Sequence, residues 1–277
     1  MTDFPSLDLI KRKSADAGAA HRGYVLMMLI RPVGPYLAWL ALRLHLTPRH
    51  VTYASLVFAG VIVATAAAGG PRGPLAACVM VLIWEAIDVT DGTMARALGK
   101  RDNFGGFLDY ASGMFIVAFL PLALGIGLFR WPDGSLHPVG AAVGFTVLPV
   151  VLLASGACIS VISLLMRLVN RVLFLRFGDS YSAWDKVGRL EARSIRAWID
   201  LFVRNLETPG GLQALVLALA ALAGMTEVAL AGYLLFYVAL LGLFMLQTYR
   251  TYGSREEYYD VEIRRCEVPD PSADRVR

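Results

Sequence analysis

The sequence predicts an all-α integral membrane protein with six transmembrane helices preceded by an interfacial amphipathic helix. Two observations predict this fold class: 57% of the 277 residues are hydrophobic and only 17% are charged, and the uncharged residues fall in long uninterrupted runs. A soluble domain usually carries about 25% charged residues. The pattern therefore excludes an ordinary cytosolic globular enzyme, a disordered chain and a small disulfide scaffold.

Membrane crossings account for the uncharged runs. A helix needs roughly 20 mostly apolar residues to cross about 30 Å of hydrocarbon. Five runs have this length, namely residues 51–70, 110–129, 138–166, 208–226 and 228–249. A sixth run, 73–84, becomes long enough only if its helix continues through Glu85, Asp88 and Asp91. Acidic side chains in a membrane helix are costly and indicate a functional site.

The first 50 residues are predicted to form a cytoplasmic N-terminus and the interfacial helix. Residues 24–46 are apolar, but two prolines and two arginines interrupt them. Proline breaks helical hydrogen bonds and arginine resists burial in lipid, so we interpret this stretch as a helix in the membrane interface rather than a seventh crossing. No apolar core precedes the basic cluster Lys11-Arg12-Lys13, so a cleaved signal peptide is not expected.

Basic residues predict the orientation. Lys and Arg are concentrated before residue 51, around Lys100, in residues 167–204 and after Arg250. Basic loops stay in the cytoplasm. We therefore expect both termini there, with the crossings in residues 51–250, a cytoplasmic connection at about 170–207 and a cytoplasmic tail over 251–277. In a bacterium this would be the inner membrane.

The remaining composition adds little chemistry. The formal charge of +4 fits this topology and contact with anionic lipid headgroups, and neither zinc-ligand spacing nor a basic stripe on a soluble domain points to nucleic acid. Cys78, Cys158 and Cys266 lack the paired spacing of a disulfide framework or metal cluster. Residues 179–207 have apolar side chains at helical spacing, which predicts a helix on the membrane surface.

The segment 85–113 contains the acids that matter most. Side chains three or four residues apart share one face of a helix, so Asp88 and Asp91 lie on one stripe. A turn near residues 99–103 would bring the next helix back antiparallel, with Asp109 close to its start. We therefore expect three carboxylates to converge at the cytoplasmic boundary of the membrane, beside small residues.

The chemistry expected of such a cluster is divalent-metal binding. Clustered carboxylates repel one another unless a cation or a proton lies between them. Mg²⁺ and Mn²⁺ take oxygen ligands, and Mg²⁺ commonly shares them with substrate phosphates. Gly92, Ala95 and Gly105 leave room for a ligand, and Arg96 supplies a donor for phosphate or a nucleotide. Acids paired with Arg96 and Lys100 merely to join helices would not explain three acids beside glycines.

These residues resemble the signature of the CDP-alcohol phosphotransferase family, D-x-x-D-G-x-x-A-R, eight residues, then G-x-x-x-D-x-x-x-D. The matching positions are Asp88, Asp91, Gly92, Ala95, Arg96, Gly105 and Asp109. Upstream, residues 46–52 are similar to the T-P-x-x-V-T pattern at the start of the family's first span, whereas the C-terminal half is similar in hydropathy alone.

The resemblance implies an activity and a role for each matched residue. It implies transfer of an alcohol-phosphate or phosphatidyl group from a CDP-linked donor to a small or lipid acceptor, with release of CMP, as in phospholipid biosynthesis. It also implies a homodimer. The implied ligands of two divalent ions are Asp88, Asp91 and Asp109. The implied CDP pocket consists of Asp88, Gly92, Ala95, Arg96 and Gly105.

One signature position differs. The last aspartate, the family's proposed general base, should stand at residue 113, which is Gly113. Glu85, one turn before Asp88 on the same face, is the substitute base that the sequence offers, beside Asp109 as the remaining candidate catalytic acid. General-base help is typically worth roughly 10²–10⁴ in rate, so its loss does not by itself abolish a reaction.

Three interpretations of Gly113 stay open. The chain is a transferase in which another group replaces the base, or in which an already ionised acceptor needs none. Alternatively, it is a CDP- and metal-binding homologue or partner subunit without transfer activity. In the third interpretation it hydrolyses a CDP-linked compound with water.

Overall fold

The described part of the protein is almost entirely helical. A computed structural model describes residues 5–16, 25–70, 72–99, 103–131, 148–177 and 195–252. About 90% of these residues are helical and none of them lies in a β-strand, which confirms the all-α prediction for this part of the chain. Several predicted features lie wholly or partly outside the described residues: parts of the N-terminal segment 1–50, the turn near 99–103 with Lys100-Arg101, the start of run 138–166, the first part of helix 179–207, and the tail with Cys266.

Ten α-helices and one π-helical turn lie within the described ranges. They are α1 Leu7–Asp16, α2 Val25–Ile30, α3 Gly34–Arg43, α4 Pro48–Ala68, α5 Gly73–Ala97, α6 Asn103–Arg130, α7 Leu148–Phe177, α8 Ile195–Glu207, the π-helical turn Pro209–Gln213, α9 Ala214–Leu222 and α10 Thr226–Tyr252. Contacts divide the chain into one unit of residues 1–235 and a second of residues 236–277. In the second unit, the rings of Phe236 and Tyr237 meet edge to face at 5.5 Å.

Among the residues that the structure describes, five helices are long and apolar enough to cross a membrane: α4, α5, α6, α7 and α10. Helix α5 continues through Glu85, Asp88 and Asp91, as the sequence predicted for the short sixth run. The count of six crossings is not confirmed. Over the predicted crossing 208–226, the chain bends at Gly211 (φ −94°, ψ −120°). The nine residues of α9 then extend only about 14 Å.

The N-terminal segment differs from the single helix expected over residues 24–46. A turn at residues 31–33 separates α2 from α3, because Pro32 cannot donate the backbone hydrogen bond that a continuous helix needs. Helix α3 buries Ala38 and Leu42 in a core shared with α1 and the end of α5. Lys13 of α1 donates to the carbonyl of Ala97 at 2.9 Å, a favourable place for a cation at a helix C-terminus. The interfacial position of this segment remains a prediction.

Helix α4 joins the two helices that carry the acids. It packs along both α5 and α6, whereas α5 and α6 contact each other at few places. Its start is fixed by a capping box: Thr47 Oγ1 accepts from the His50 N–H at 3.3 Å, and His50 Nδ1 accepts from the Thr47 N–H at 3.4 Å. Pro48 in the first turn suits a helix start. The Thr-Pro sequence therefore sets where α4 begins.

Helices α6 and α7 approach closely through glycines. A Cβ on Gly125 would lie 2.9 Å from the carbonyl oxygen of Leu152. Pro121 interrupts the hydrogen bonds of α6, and the N–H of Leu122 donates instead to Ser160 Oγ of α7 at 3.1 Å. Small residues and a cross-helix hydroxyl are what close helix packing in a membrane needs.

The α6–α7 contact predicts a stability difference between two glycines. A Cβ on Gly156 would collide with the Pro121 carbonyl oxygen and lie 3.2 Å from Gly125 Cα, whereas one on Gly60 of α4 would have nothing within 4 Å. We expect Gly156→Ala to lower the free energy of unfolding by about 1–3 kcal/mol. Gly60→Ala, the matched control, should not lower it. Thermal unfolding in detergent checks this, and equal melting temperatures for the two variants would contradict the packing described.

Candidate functional site

A cavity of about 160 Å³ lies where the start of α4, the end of α5 and the start of α6 meet. The residues that line it are Pro48, Arg49, Thr52, Asp91, Gly92, Ala95, Gly105, Gly106 and Asp109. Five of them are motif positions predicted from sequence, and they come from two different helices. Three more come from the segment 46–52, for which sequence analysis proposed no site role.

The structure brings the acids of α5 and α6 together. The side chains of Asp88 and Asp109 are within hydrogen-bonding reach of each other, and Asp91 is close enough to interact with both. Asp91 and Asp109 also line the cavity. Asp88, Asp91 and Asp109 thus lie near enough to one another for their charges to interact. Ionised carboxylates in contact repel, so the cluster needs a proton or a cation to offset its charge.

The carboxylate of Asp91 is held by a residue of α4. Thr52 Oγ1 donates to Asp91 Oδ2 at 2.5 Å, and both side chains are buried. One turn further along α4, Ser55 Oγ lies 3.3 Å from Ser112 Oγ of α6. No sequence pattern predicted a site role for these three hydroxyl side chains. The only available signal was the T-P-x-x-V-T similarity, in which Thr52 is the last threonine.

Arg96 lies back over the small residue of its own helix. A Cβ on Gly92 would be 3.1 Å from Arg96 Nη1, and Arg96 Nη2 donates to Thr93 Oγ1 at 3.2 Å. The guanidinium is also close enough to Asp91 and Asp109 to interact with their charges. Arg96 is not part of the cavity lining, and a larger residue at 92 would have to displace its guanidinium.

A second arginine is near Arg96. Burial lowers the pKa of the Arg31 guanidinium, and the positive charge of Arg96 lowers it further. Arg31 lies in the turn before α3, whose first residue packs tightly on α5: a Cβ on Gly34 would be 2.8 Å from Val89 Cγ1. The N-terminal segment therefore brings positive charge to the acid-bearing end of α5.

Glu85 and Asp88 lie outside the cavity lining. Glu85 is 3% exposed and near enough to Asp88 to interact with its charge. It therefore shares the polar face of α5 with the other acids, as expected from spacing. Its role as a base stays a prediction.

Gly113 has space around it. It follows Asp109 by one turn of α6, and a Cβ built there would meet only Trp84 Cη2, at 3.9 Å, an ordinary contact. The position of the signature's missing acid is thus sterically open to a side chain. Trp84 of α5, which sequence analysis did not select, is the side chain that faces it.

The binding of a divalent metal ion stays a prediction. Within the described ranges, no three His, Cys, Asp or Glu side chains are grouped as a metal ion would need. The donor set nevertheless fits a hard divalent cation, because it consists of carboxylate oxygens alone. A carboxylate can accept about four bonds, so the Thr52 bond leaves Asp91 with capacity for a cation. Asp88, Asp91 and Asp109 are the residues that would hold such an ion.

A separate polar cluster lies at the end of α8. Arg204 is 8% exposed and Asn205 is 2% exposed. Burial raises the pKa of Glu207, and the charges of Arg167 and Arg204 oppose that rise. Earlier along α8, Trp198 and Phe202 are more than half exposed. The helix therefore exposes large apolar side chains in its middle and buries polar ones at its C-terminal end.

Comparison with protein-family models and with curated proteins finds no match to this chain.

Proposed function

We propose that the chain is a membrane phosphotransferase that moves an alcohol-phosphate or phosphatidyl group from a CDP-linked donor to an acceptor and releases CMP. One observation carries the proposal: Asp91, Gly92 and Ala95 of α5 and Gly105 and Asp109 of α6 line a single cavity. A motif matched by chance would not be expected to assemble so many of its positions around one space. The converging carboxylates and the nearby guanidinium of Arg96 suit a pyrophosphate bound with cations.

In this proposal the cavity residues and their neighbours Asp88 and Arg96 each have a task. Asp88, Asp91 and Asp109 would hold two Mg²⁺ or Mn²⁺ ions. The small residues Gly92, Ala95 and Gly105 leave room for the cytidine against the helix backbones. Bound divalent cations would neutralise the pyrophosphate and stabilise the charge that develops on the departing CMP. Arg96 adds a donor for the same phosphate oxygens.

The proposed reaction is a direct displacement at phosphorus. An oxygen of the acceptor forms a bond to the phosphorus that carries the alcohol or lipid, and the bond from that phosphorus to the bridging oxygen of CMP breaks. The electron pair of the broken bond leaves with CMP. A hydroxyl acceptor loses its proton to a base, for which Glu85 is our candidate, and an ionised acceptor has no proton to lose.

The proposal also covers the membrane location and orientation of the protein. Six crossings with both termini in the cytoplasm would put the cavity at the cytoplasmic face, in the inner membrane if the organism is bacterial. The five apolar helices support membrane insertion, and the basic loops support the orientation. A homodimer among membrane lipids is part of the same proposal.

The test is CMP release from CDP-linked alcohols and CDP-linked lipids by the full chain in lipid nanodiscs, with Mg²⁺ and a panel of acceptors. We expect CMP together with a product that joins the alcohol-phosphate to the acceptor. CMP and free phospho-alcohol without any acceptor would identify a hydrolase instead. Metal-dependent binding of CDP without turnover would identify a binding homologue. The absence of both turnover and CDP binding would overturn the proposal.

A further inference from the structure

Two buried hydroxyl contacts connect α4 to the acid-bearing helices. Thr52 Oγ1 is 2.5 Å from Asp91 Oδ2 of α5, and Ser55 Oγ is 3.3 Å from Ser112 Oγ of α6. Thr52 and Ser55 are three residues apart and share one face of α4. Asp109 and Ser112 are likewise three apart on α6. One face of α4 therefore contacts Asp91 directly and contacts α6 one turn from Asp109.

Thr52 does not need the contact with Asp91 to satisfy the hydrogen bonding of its hydroxyl. A helical threonine can donate to the carbonyl four residues earlier. Thr65 of α4 does so, to Val61 O at 2.8 Å. Thr52 also has such a carbonyl, Pro48 O at 3.1 Å, but lies closer to the carboxylate of Asp91. The hydroxyl therefore fixes a side chain of a neighbouring helix.

Helix α4 is well placed to set the distance between the acids of α5 and Asp109 of α6. Helices α5 and α6 contact each other at few places, whereas α4 packs along both. Helix α4 therefore contributes more than the direct α5–α6 contact to the relative position of the two acid-bearing helices. Thr52 is 3% exposed and Ser55 is 1% exposed, so water does not compete strongly for these contacts.

We propose that Thr52 is a positioning residue that orients the Asp91 carboxylate for a divalent cation. The Ser55–Ser112 pair keeps Asp109 of α6 level with Asp91 along the helix axes. The inference rests on the proposed function only in taking a divalent cation as the ligand of the acids. Residues that orient metal ligands are typically worth roughly 10- to 100-fold in metal affinity. Thr52 itself need not touch the cation.

The experiment measures Mn²⁺ binding to the full chain in detergent by the loss of the free-ion electron paramagnetic resonance signal. Thr52→Val keeps the shape of the side chain and removes the hydroxyl, and we expect it to weaken Mn²⁺ binding roughly 10- to 100-fold. Thr52→Ser should restore near-normal affinity. Thr65→Val is the matched control, because Thr65 lies on the same helix and donates to its own backbone. Should Thr52→Val fail to fold, Thr52→Ala replaces it.

The outcomes separate this inference from the proposed function. Unchanged Mn²⁺ affinity in a folded variant without the Thr52 hydroxyl overturns the positioning role, whatever the activity. Equal weakening by Thr65→Val, or failure of Thr52→Ser to restore affinity, also overturns it. Weakened binding in Thr52→Val, in a protein that releases no CMP from any CDP-linked donor, supports the positioning role and rejects the transferase. If the unmodified chain binds no Mn²⁺, both are wrong.

Discussion

Asparagine in place of Asp91 or Asp109 lowers the rate of CMP release by roughly 10²–10³-fold, the loss expected when one group that stabilises developing charge is removed. Both carboxylates line the cavity, and they come from different helices. Asparagine has nearly the same shape but no charge, so the substitution removes attraction for a cation and leaves the packing in place. The measurement is the initial rate of CMP release at saturating Mg²⁺.

The matched control is Asp8→Asn. Asp8 is an exposed acid of α1, outside the cavity lining, so its loss should leave the rate unchanged. A rate for Asp91→Asn or Asp109→Asn close to that of the control would show that the cavity acids do not take part in the reaction.

Asp91→Asn and Asp109→Asn should not destabilise the protein in the absence of divalent cations. Asp88, Asp91 and Asp109 repel one another in the folded state, and removing one charge relieves that repulsion. We therefore expect melting temperatures in a chelating buffer that equal or exceed that of the unmodified chain. Added Mn²⁺ should then raise the melting temperature of the unmodified chain more than that of either variant. This exchange of stability for binding capacity is typical of functional sites.

Local patterns predicted the helices and the acid cluster. The extension of α5 through Glu85 and Asp91 followed from the length that a crossing requires, and spacing on a helix placed Asp88 beside Asp91. The approach of Asp109 followed from a short connection between consecutive helices. Each inference used residues that are close in sequence or joined by one turn.

Contacts between distant segments were not predictable in this way. Thr52 is 39 residues from Asp91, and nothing in the sequence distinguishes it from Thr65 apart from the family-like pattern around it. The packing of Gly34, which follows the turn at residues 31–33, against Val89 of α5 also joins segments distant in sequence. The bend at Gly211 likewise lies in a run whose hydropathy resembles that of a continuous span.

Aspartate in place of Gly113 is expected to raise the rate of transfer to hydroxyl acceptors by about 10²–10⁴-fold, the usual worth of a positioned general base. Position 113 is one turn after Asp109 on the same face of α6. Its Cβ would make only an ordinary contact, 3.9 Å from Trp84 Cη2, so the backbone position accepts a side chain one turn from Asp109. The gain should be absent for acceptors that are already ionised, because they have no proton to lose.

Two further variants decide whether a base causes the gain. Gly113→Asn adds a side chain of the same shape that cannot take the proton, so it should leave the rate near that of the unmodified chain. If Glu85 supplies the base in the unmodified chain, Glu85→Gln should slow transfer to hydroxyl acceptors there and have little effect once Gly113→Asp is present. Equal rates for Gly113→Asp and Gly113→Asn would mean that proton removal does not limit the reaction, and an ionised acceptor would then be the better account of the glycine.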